Sequence, residues 1–338
     1  MDFAAAESYL FSLGNEVETM KLGLGNIRKL LGALGDPHKN YVKVQVAGTN
    51  GKGSVCAFLD SICLQAEIHT GRYTSPHLIS ITERVKIDGV DIAESEFAQL
   101  ATRVRETSEK LVSDGKLERL PTFFEQVTAI ALLAFAEAKV ELAILETGLG
   151  GRFDAVTAAE AEIAAITRID LDHQEYLGET LKKIAIEKAA IVRSGSKVVV
   201  CDQSRIAMKV ILGRCSEVGA KARLTSQFLG QGFGLPALGL LGMHQTENAE
   251  VAMLLAYTLR DHFAINDEAV TSGLEKARHP GRLEYQGRYL FDGAHNIGGA
   301  RALSVFLDES EARRITLIFG AMKDKDLTEI AAILFPKA

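Results

Sequence analysis

Seven residues, Gly48-Thr49-Asn50-Gly51-Lys52-Gly53-Ser54, carry the most specific chemistry in this chain. The glycines let backbone approach a ligand closely, the lysine is a mobile cation and the serine hydroxyl is a hard oxygen donor. A nucleotide suits such a loop: Lys52 would reach the β- and γ-phosphates, and Ser54 would ligate Mg²⁺. The spacing departs from the standard phosphate loop, because Gly53 stands between lysine and serine and the leading glycine sits closer. A glycine-rich loop alone is equally a plain turn, so its flanks decide.

Before the loop, Val42, Val44 and Val46 alternate with Tyr41, Lys43 and Gln45, the period-two pattern of a strand, and residues 55–66 read as a helix. Strand, loop and helix together turn backbone N–H groups and a positive helix end towards an anion. Apolar runs at 142–145, 163–169 and 197–200 alternate with helical stretches at 124–138, 177–192 and 208–219. That order predicts an α/β fold with a mostly parallel sheet covered on both faces. Ligands of such sheets bind beyond the carboxyl ends of the strands. Three segments put polar groups there: Glu146 with the Gly-rich run after it, Asp170-Leu171-Asp172-His173, and Tyr73-Thr74-Ser75-Pro76-His77. Serine, glutamate and imidazole make a minimal Mg²⁺ set completed by water. Taken singly, Glu146 reads as a solvated strand end and His173 as a structural histidine; convergence on the loop makes them candidates. After a helix at 248–262, residues 277–282 form a hinge. Beyond it a strand at 289–291, a helix at 298–307, a strand at 315–319 and a helix at 327–334 begin a second α/β unit. The expected domains are 1–277 and 278–338.

With 338 residues, 47% of them hydrophobic, the chain can fill two cores. A net charge of −6 argues against nucleic acid, since no basic excess exists to displace phosphate counterions. No apolar run approaches the roughly 20 residues that span a bilayer, and the opening segment, with Asp2 and Glu7, does not read as a signal peptide. Cys56, Cys63, Cys201 and Cys215 form no CxxC pair, and Cys56 and Cys63 share one helix face as core filler. The expectation is a reduced, cytoplasmic monomer with no membrane or nucleic-acid partner.

Several motifs recur in this order in folylpolyglutamate synthases of the Mur ligase superfamily: 48–54, Ser75-Pro76-His77-Leu78 with Glu83-Arg84, Thr122-Phe123-Phe124-Glu125, 145–155, Leu171-Asp172-His173, Glu187-Lys188-Ala189, His279-Pro280-Gly281-Arg282 and Asp292-Gly293-Ala294-His295-Asn296. The chain resembles that family over nearly its whole length, and within it the bacterial bifunctional dihydrofolate synthase/folylpolyglutamate synthases. The resemblance implies a Mur-ligase-like P-loop domain followed by a Rossmann-like domain, truncated here because relatives continue past Phe335. It also implies an ATP-dependent ligase. The pterin carboxylate attacks the γ-phosphate of ATP, and the amino group of L-glutamate then displaces phosphate from the acyl phosphate, with dihydropteroate or a reduced folate as acceptor. A Mur ligase on a cell-wall precursor, or a nucleotide-binding protein without synthetic activity, is the alternative.

By similarity Ser54, Ser75, Glu146 and His173 surround the metal ions, Asn248, Arg282 and Asp292 contact ATP together with the loop, and His295 lies close to the phosphates. Lys188 reads from helical pattern alone as a surface lysine. It matches, however, the family lysine that CO₂ carbamylates into a metal-holding carboxylate, for which a desolvated lysine with lowered pKa is suited. Lys21-Leu22-Gly23-Leu24, Thr122 to Glu125 and Phe153-Asp154-Ala155 match the pterin walls, with Phe123, Phe124 and Phe153 as stacking faces and Asp154 as acceptor. The chain departs from the family pattern at Asp170, where a small residue is usual, at Ala190, where glycine is usual, and in a shortened 224–242 interval.

Overall fold

The structure, a computed structural model, describes residues 1–14, 23–229, 234–310, 314–322 and 325–338. Among the described residues, eight strands form one sheet in the order β4-β3-β2-β5-β1-β6-β7-β8. The strands are β1 (Val42–Ala47), β2 (Thr70–Tyr73), β3 (Val85–Ile87), β4 (Val90–Asp91), β5 (Leu142–Glu146), β6 (Ile163–Ile166), β7 (Lys197–Val200) and β8 (Lys221–Leu224). From β2 to β8 every pairing is parallel; β3 and β4 add an antiparallel edge. The central strand β1 is covered on both faces. Val44 and Val46 enter one apolar core, whereas Lys43 and Gln45 lie buried on the other side with partners of their own. Lys43 Nζ reaches Glu162 at 2.8 Å, and Gln45 Nε2 donates to Thr157 Oγ1 at 2.8 Å. An alternating strand is thus doubly buried because its polar side is fully paired.

Helices α1 (Phe3–Ser12), α2 (Gly25–Ala33), α4 (Glu94–Ser113) and α5 (Phe123–Ala138) pack one face of the sheet. Helices α3 (Lys52–Gln65), α10 (His244–Leu259) and α11 (Asp267–Lys276) cover the other. A third core gathers the β6–β7 end under α7 (Leu181–Ala189) and α8 (Arg205–Val218). Two short helices, α6 (Gln174–Leu177) and α9 (Thr225–Leu229), complete this part. The helix expected at 177–192 is instead divided between α6 and α7. Gly178 at φ +94° ends the first, and Thr180 caps the second by accepting from Lys183 N. Cys56 and Cys63 are buried in the α3 core, as their spacing predicts.

Past residue 282, β9 (Glu284–Gln286) and β10 (Tyr289–Phe291) form an antiparallel hairpin, followed by α12 (Ile297–Glu309) and α13 (Leu327–Leu334) around Ala300, Ile330 and Leu334. The expected strand at 315–319 is not one. Its residues belong to no strand or helix and have no ladder partner, and Ile318 is 93% exposed. An apolar alternating run becomes a strand only where a neighbour completes its hydrogen bonds. No helix among the described residues is long and apolar enough to cross a membrane.

Candidate active site

Parallel pairing brings four strand ends to one edge of the sheet. Val46 registers with Glu146, Ala47 with Ile166 and Tyr73 with Leu145, so the segments following β1, β2, β5 and β6 emerge side by side. The glycine-rich loop follows β1. Gly51 caps α3 at φ +87°, a conformation that a side chain would strain, and a Cβ there would lie 2.1 Å from Asn248 Oδ1. Helix α3 begins at Lys52, earlier than the sequence pattern indicates. The cradle differs from expectation as well: the N–H groups of Thr49 and Asn50 donate to Arg168 O at 2.8 and 3.3 Å, so they brace the loop against the β6 segment. The donors left for an anion belong to the first turn of α3, which has no intrahelical acceptors. Lys52 Nζ rests 3.2 Å from Thr49 O, and Ser54 is buried in that turn.

Around the loop the charged groups fall into two sets. In the first, Glu146 is buried and accepts from Ser75 N at 3.1 Å. Burial raises its carboxyl above the usual range, against the pull of Lys52, the Ser75 N–H, Arg282 and Arg72. His279 from the hinge lies against Gly53, and burial followed by Arg282 pushes its imidazole well below the ordinary value.

The second set gathers on the turn after β6. Asp172 meets Lys325 Nζ at 3.0 Å and Asn296 Nδ2 at 2.9 Å. Burial opposes ionisation, but His173, Asn296 and Lys325 outweigh it and hold the carboxyl down at about 2. His173 caps α6 at φ +48°; burial, with Lys325, Lys188 and Lys52 nearby, lowers it to about 4 despite Asp172. Its Nδ1 is buried without a partner. Lys188, on α7, is 5% exposed and donates to Gly48 O at 2.7 Å. Burial, then Lys52, lowers it to about 7. The surface lysine that helical pattern suggests is therefore a buried amine touching the phosphate loop.

The Mur ligase middle domain family matches residues 46–226. A Bacillus subtilis dihydrofolate synthase/folylpolyglutamate synthase is 37% identical over 332 residues, covering 90% of this chain and 77% of that protein. The chain belongs to the folylpolyglutamate synthase/dihydrofolate synthase family. A probable bifunctional folylpolyglutamate synthase/dihydropteroate synthase of Halobacterium salinarum is 36% identical over 93% of this chain; the chain spans 41% of that longer relative. A solved bifunctional folylpolyglutamate synthase/dihydrofolate synthase with Mn, AMPPNP and L-glutamate bound superposes with a TM-score of 0.84 at 30% identity, covering 99% of this chain and 82% of that one.

For a folylpolyglutamate synthase family member, the remaining expected residues have mixed settings. Asn248 is buried beside Gly51 and donates to Gln245 Oε1 at 2.9 Å. Asp292 uses its carboxylate on the backbone, accepting from Leu283 N at 3.0 Å and Ala294 N at 2.9 Å, so here it shapes the turn that carries His295. Arg282 packs against Gly293, and His295 Nδ1 lies 2.8 Å from Gly293 O. Of the pterin-wall residues, Lys21 and Leu22 lie outside the described residues; Gly23 and Leu24 lead into α2. Thr122 and Glu125 form a reciprocal cap on α5. Phe123 and Phe124 are core rather than open stacking faces, packed against Phe11 and Tyr73 respectively, whereas Phe153 is 38% exposed. Asp154 is buried and accepts from Leu149 N and Val156 N at 2.8 and 2.9 Å, holding the turn that begins at Ala155.

Among the described residues no three His, Cys, Asp or Glu side chains form a ready-made metal cage. Sequence reasoning did not single out Asp172, Asn296 and Lys325 as site residues. The first two stand inside motifs that the sequence shows, with no local sign of their burial; Lys325 carries no local signal.

Proposed function

We propose that this chain joins L-glutamate to dihydropteroate, or to a reduced folate and its polyglutamates, using ATP. The observation that carries this reading is the convergence of the phosphate loop, Ser75, Glu146 and the Asp172–His173 turn at the carboxyl ends of adjacent parallel strands, with Lys188 buried against the loop. A carboxylate is a poor acyl donor at neutral pH. Transfer of the γ-phosphoryl group to its oxygen releases ADP and gives an acyl phosphate; the glutamate nitrogen then forms the amide bond, losing a proton, as the C–O bond to phosphate breaks.

The protein contributes position and charge. The first turn of α3 and Lys52 orient the polyphosphate. Asn248, Arg282 and Asp292 hold the rest of the nucleotide, and His295 stands on the phosphate side. The pterin lies along Gly23-Leu24 and the Thr122–Glu125 and Phe153–Ala155 segments, with Phe153 supplying the exposed ring. We assign residues 1–277 to the nucleotide and pterin domain and 278–338 to a second, Rossmann-like unit.

A divalent metal fits the residues present. Ser54 and Glu146 are buried oxygen donors, and the partnerless His173 Nδ1 is an unused ligand atom. Ser54, Ser75, Glu146 and His173 would hold Mg²⁺, which would neutralise phosphate charge. Lys188 would join them once its neutral amine adds to CO₂, giving a carbamate and a proton; its lowered pKa supplies that amine near neutrality.

Dihydropteroate labelled with ¹⁸O in its carboxylate tests the proposal. Incubated with ATP, Mg²⁺ and glutamate, it should yield the amide by mass and one ¹⁸O in each phosphate released. Amide without labelled phosphate overturns the acyl-phosphate route, and absence of amide overturns the activity.

A further inference from the structure

We propose that Asn296 is a positioning residue that ties the phosphate loop to the helix beyond the hinge, so that a nucleotide on the loop is registered at the start of α12. This rests on reading the loop as a nucleotide site. Asn296 is 6% exposed and caps α12, its Oδ1 accepting from Gly299 N at 2.9 Å. That bond fixes the amide orientation, since an N–H can be met only by the carbonyl oxygen. Nδ2 must then face the other way, where it donates one hydrogen to Asn50 Oδ1 and one to Asp172 Oδ2, both at 2.9 Å. Both donors and one of the two acceptor positions are used, on three segments far apart in sequence.

The orientation propagates. With Oδ1 of Asn50 engaged, its Nδ2 turns to Asp170 Oδ2 at 3.4 Å. Helix α12 approaches closely enough that a Cβ on Gly298 would lie 2.7 Å from Asn50 Nδ2 and 3.1 Å from Asp170 Oδ2. Lys325 closes the far side of Asp172, both side chains being under one-tenth exposed. Asn50 stands between Thr49, braced on Arg168, and the left-handed turn at Gly51. Any ligand that rotates the Asn50 amide breaks a bond inside this partly buried network, because it would turn Nδ2 of Asn50 towards Nδ2 of Asn296, two donors that cannot pair.

Two roles of Asn296 can be separated. Asn296→Ser keeps a strong capping oxygen for Gly299 N–H but has one hydrogen to donate and a shorter reach, so it cannot bridge Asn50 and Asp172. The full chain is titrated with ADP and Mg²⁺ by calorimetry, and amide hydrogen exchange is followed at residues 298–300 with and without saturating ADP. In the unsubstituted chain ADP should change exchange there by roughly fivefold or more, the effect of one net hydrogen bond. In Asn296→Ser, ADP should bind within about threefold of the same affinity while exchange at 298–300 stays the same with and without it. Asn50→Ala removes the same bond from the loop side, leaves the cap intact and should abolish the response too. A retained response in either variant with ADP bound overturns the proposal. Failure of the unsubstituted chain to bind ADP overturns the phosphate-loop reading itself, and with it this coupling.

Discussion

Replacing Lys188 by methionine should make the protein more stable at low pH and less stable at high pH. Lys188 is buried, and its pKa falls from 10.5 to about 7 on folding. Below about pH 7 both folded and unfolded chains carry the ammonium, so folding bears the whole cost of burying a charge. Between about 7 and 10.5 the unfolded chain binds more protons than the folded one, and stability climbs with pH; above 10.5 the penalty is gone. A gap of that width corresponds to at most roughly 5 kcal/mol. Methionine keeps most of the stem but leaves Gly48 O without its 2.7 Å donor, a loss of about 1 kcal/mol. Lys188→Met should therefore gain about 2–4 kcal/mol at pH 6, gain little near pH 9 and lose about 1 kcal/mol at pH 10.5. Urea unfolding at each pH in CO₂-free buffer, with the slope held common, measures it. Bicarbonate at pH 8 should then raise the stability of the unsubstituted chain alone, because only its folded, neutral amine captures CO₂. A stability difference that is constant from pH 6 to 10 would refute a neutral, buried Lys188.

Three further outcomes are expected. Lys52→Ala removes the cation facing the transferring phosphoryl group and should slow ATP-dependent amide formation on the order of a hundredfold, read from initial rates. Asp60 and Arg72 form a buried pair at 3.1 Å beneath α3; Asp60→Ala should cost about 3–5 kcal/mol in urea unfolding, and adding Arg72→Leu should recover most of it, because the penalty is an unpaired buried charge. Equal stability of single and double variants would refute that origin. Phe124→Ala should destabilise by about 3–5 kcal/mol, whereas half-exposed Phe153→Ala should leave the unfolding midpoint nearly fixed and raise the pterin KM; the reverse pattern would contradict their burial.

Local pattern carried the fold where chain chemistry is local. The strands at 42–47, 197–200 and 289–291 and the helix at 327–334 coincide with the apolar periods that mark them. The run 163–169 overshoots: the strand ends at Ile166, and Thr167, whose N–H still donates to Ala47 O at 2.8 Å, turns its hydroxyl to Asn50 O at 2.7 Å, a tertiary contact invisible to periodicity. The break at Gly178 was legible, since glycine followed by a capping threonine is a stop-and-start signal. At 315–319 the run is apolar but no strand among the described residues pairs with it, so pattern and outcome part for want of a neighbour.

The site divides in the same way. Loop chemistry singled out Lys52 and Ser54 as candidates, and strand-end position singled out Glu146 and His173. Lys188 inverted its helical reading because burial belongs to the sheet edge it packs on, not to its own helix: Gly48 is 140 positions away. Lys325 lies 153 positions from Asp172, and Asn296 lies 246 from Asn50. Each is an ordinary polar residue until the hinge returns its segment to the phosphate loop. Their placement has a common consequence: the neighbouring His173, then Asn296 and Lys325, hold the Asp172 carboxyl down at about 2, and the last two come from beyond residue 282. The charge of Asp172 is therefore set partly by residues beyond 282: without Asn296 and Lys325 this carboxylate would be short of two donors. Those two bonds hold α12 and Lys325 to the segment after β6 by charge and hydrogen bonding, independent of the small apolar core around Ala300, Ile330 and Leu334.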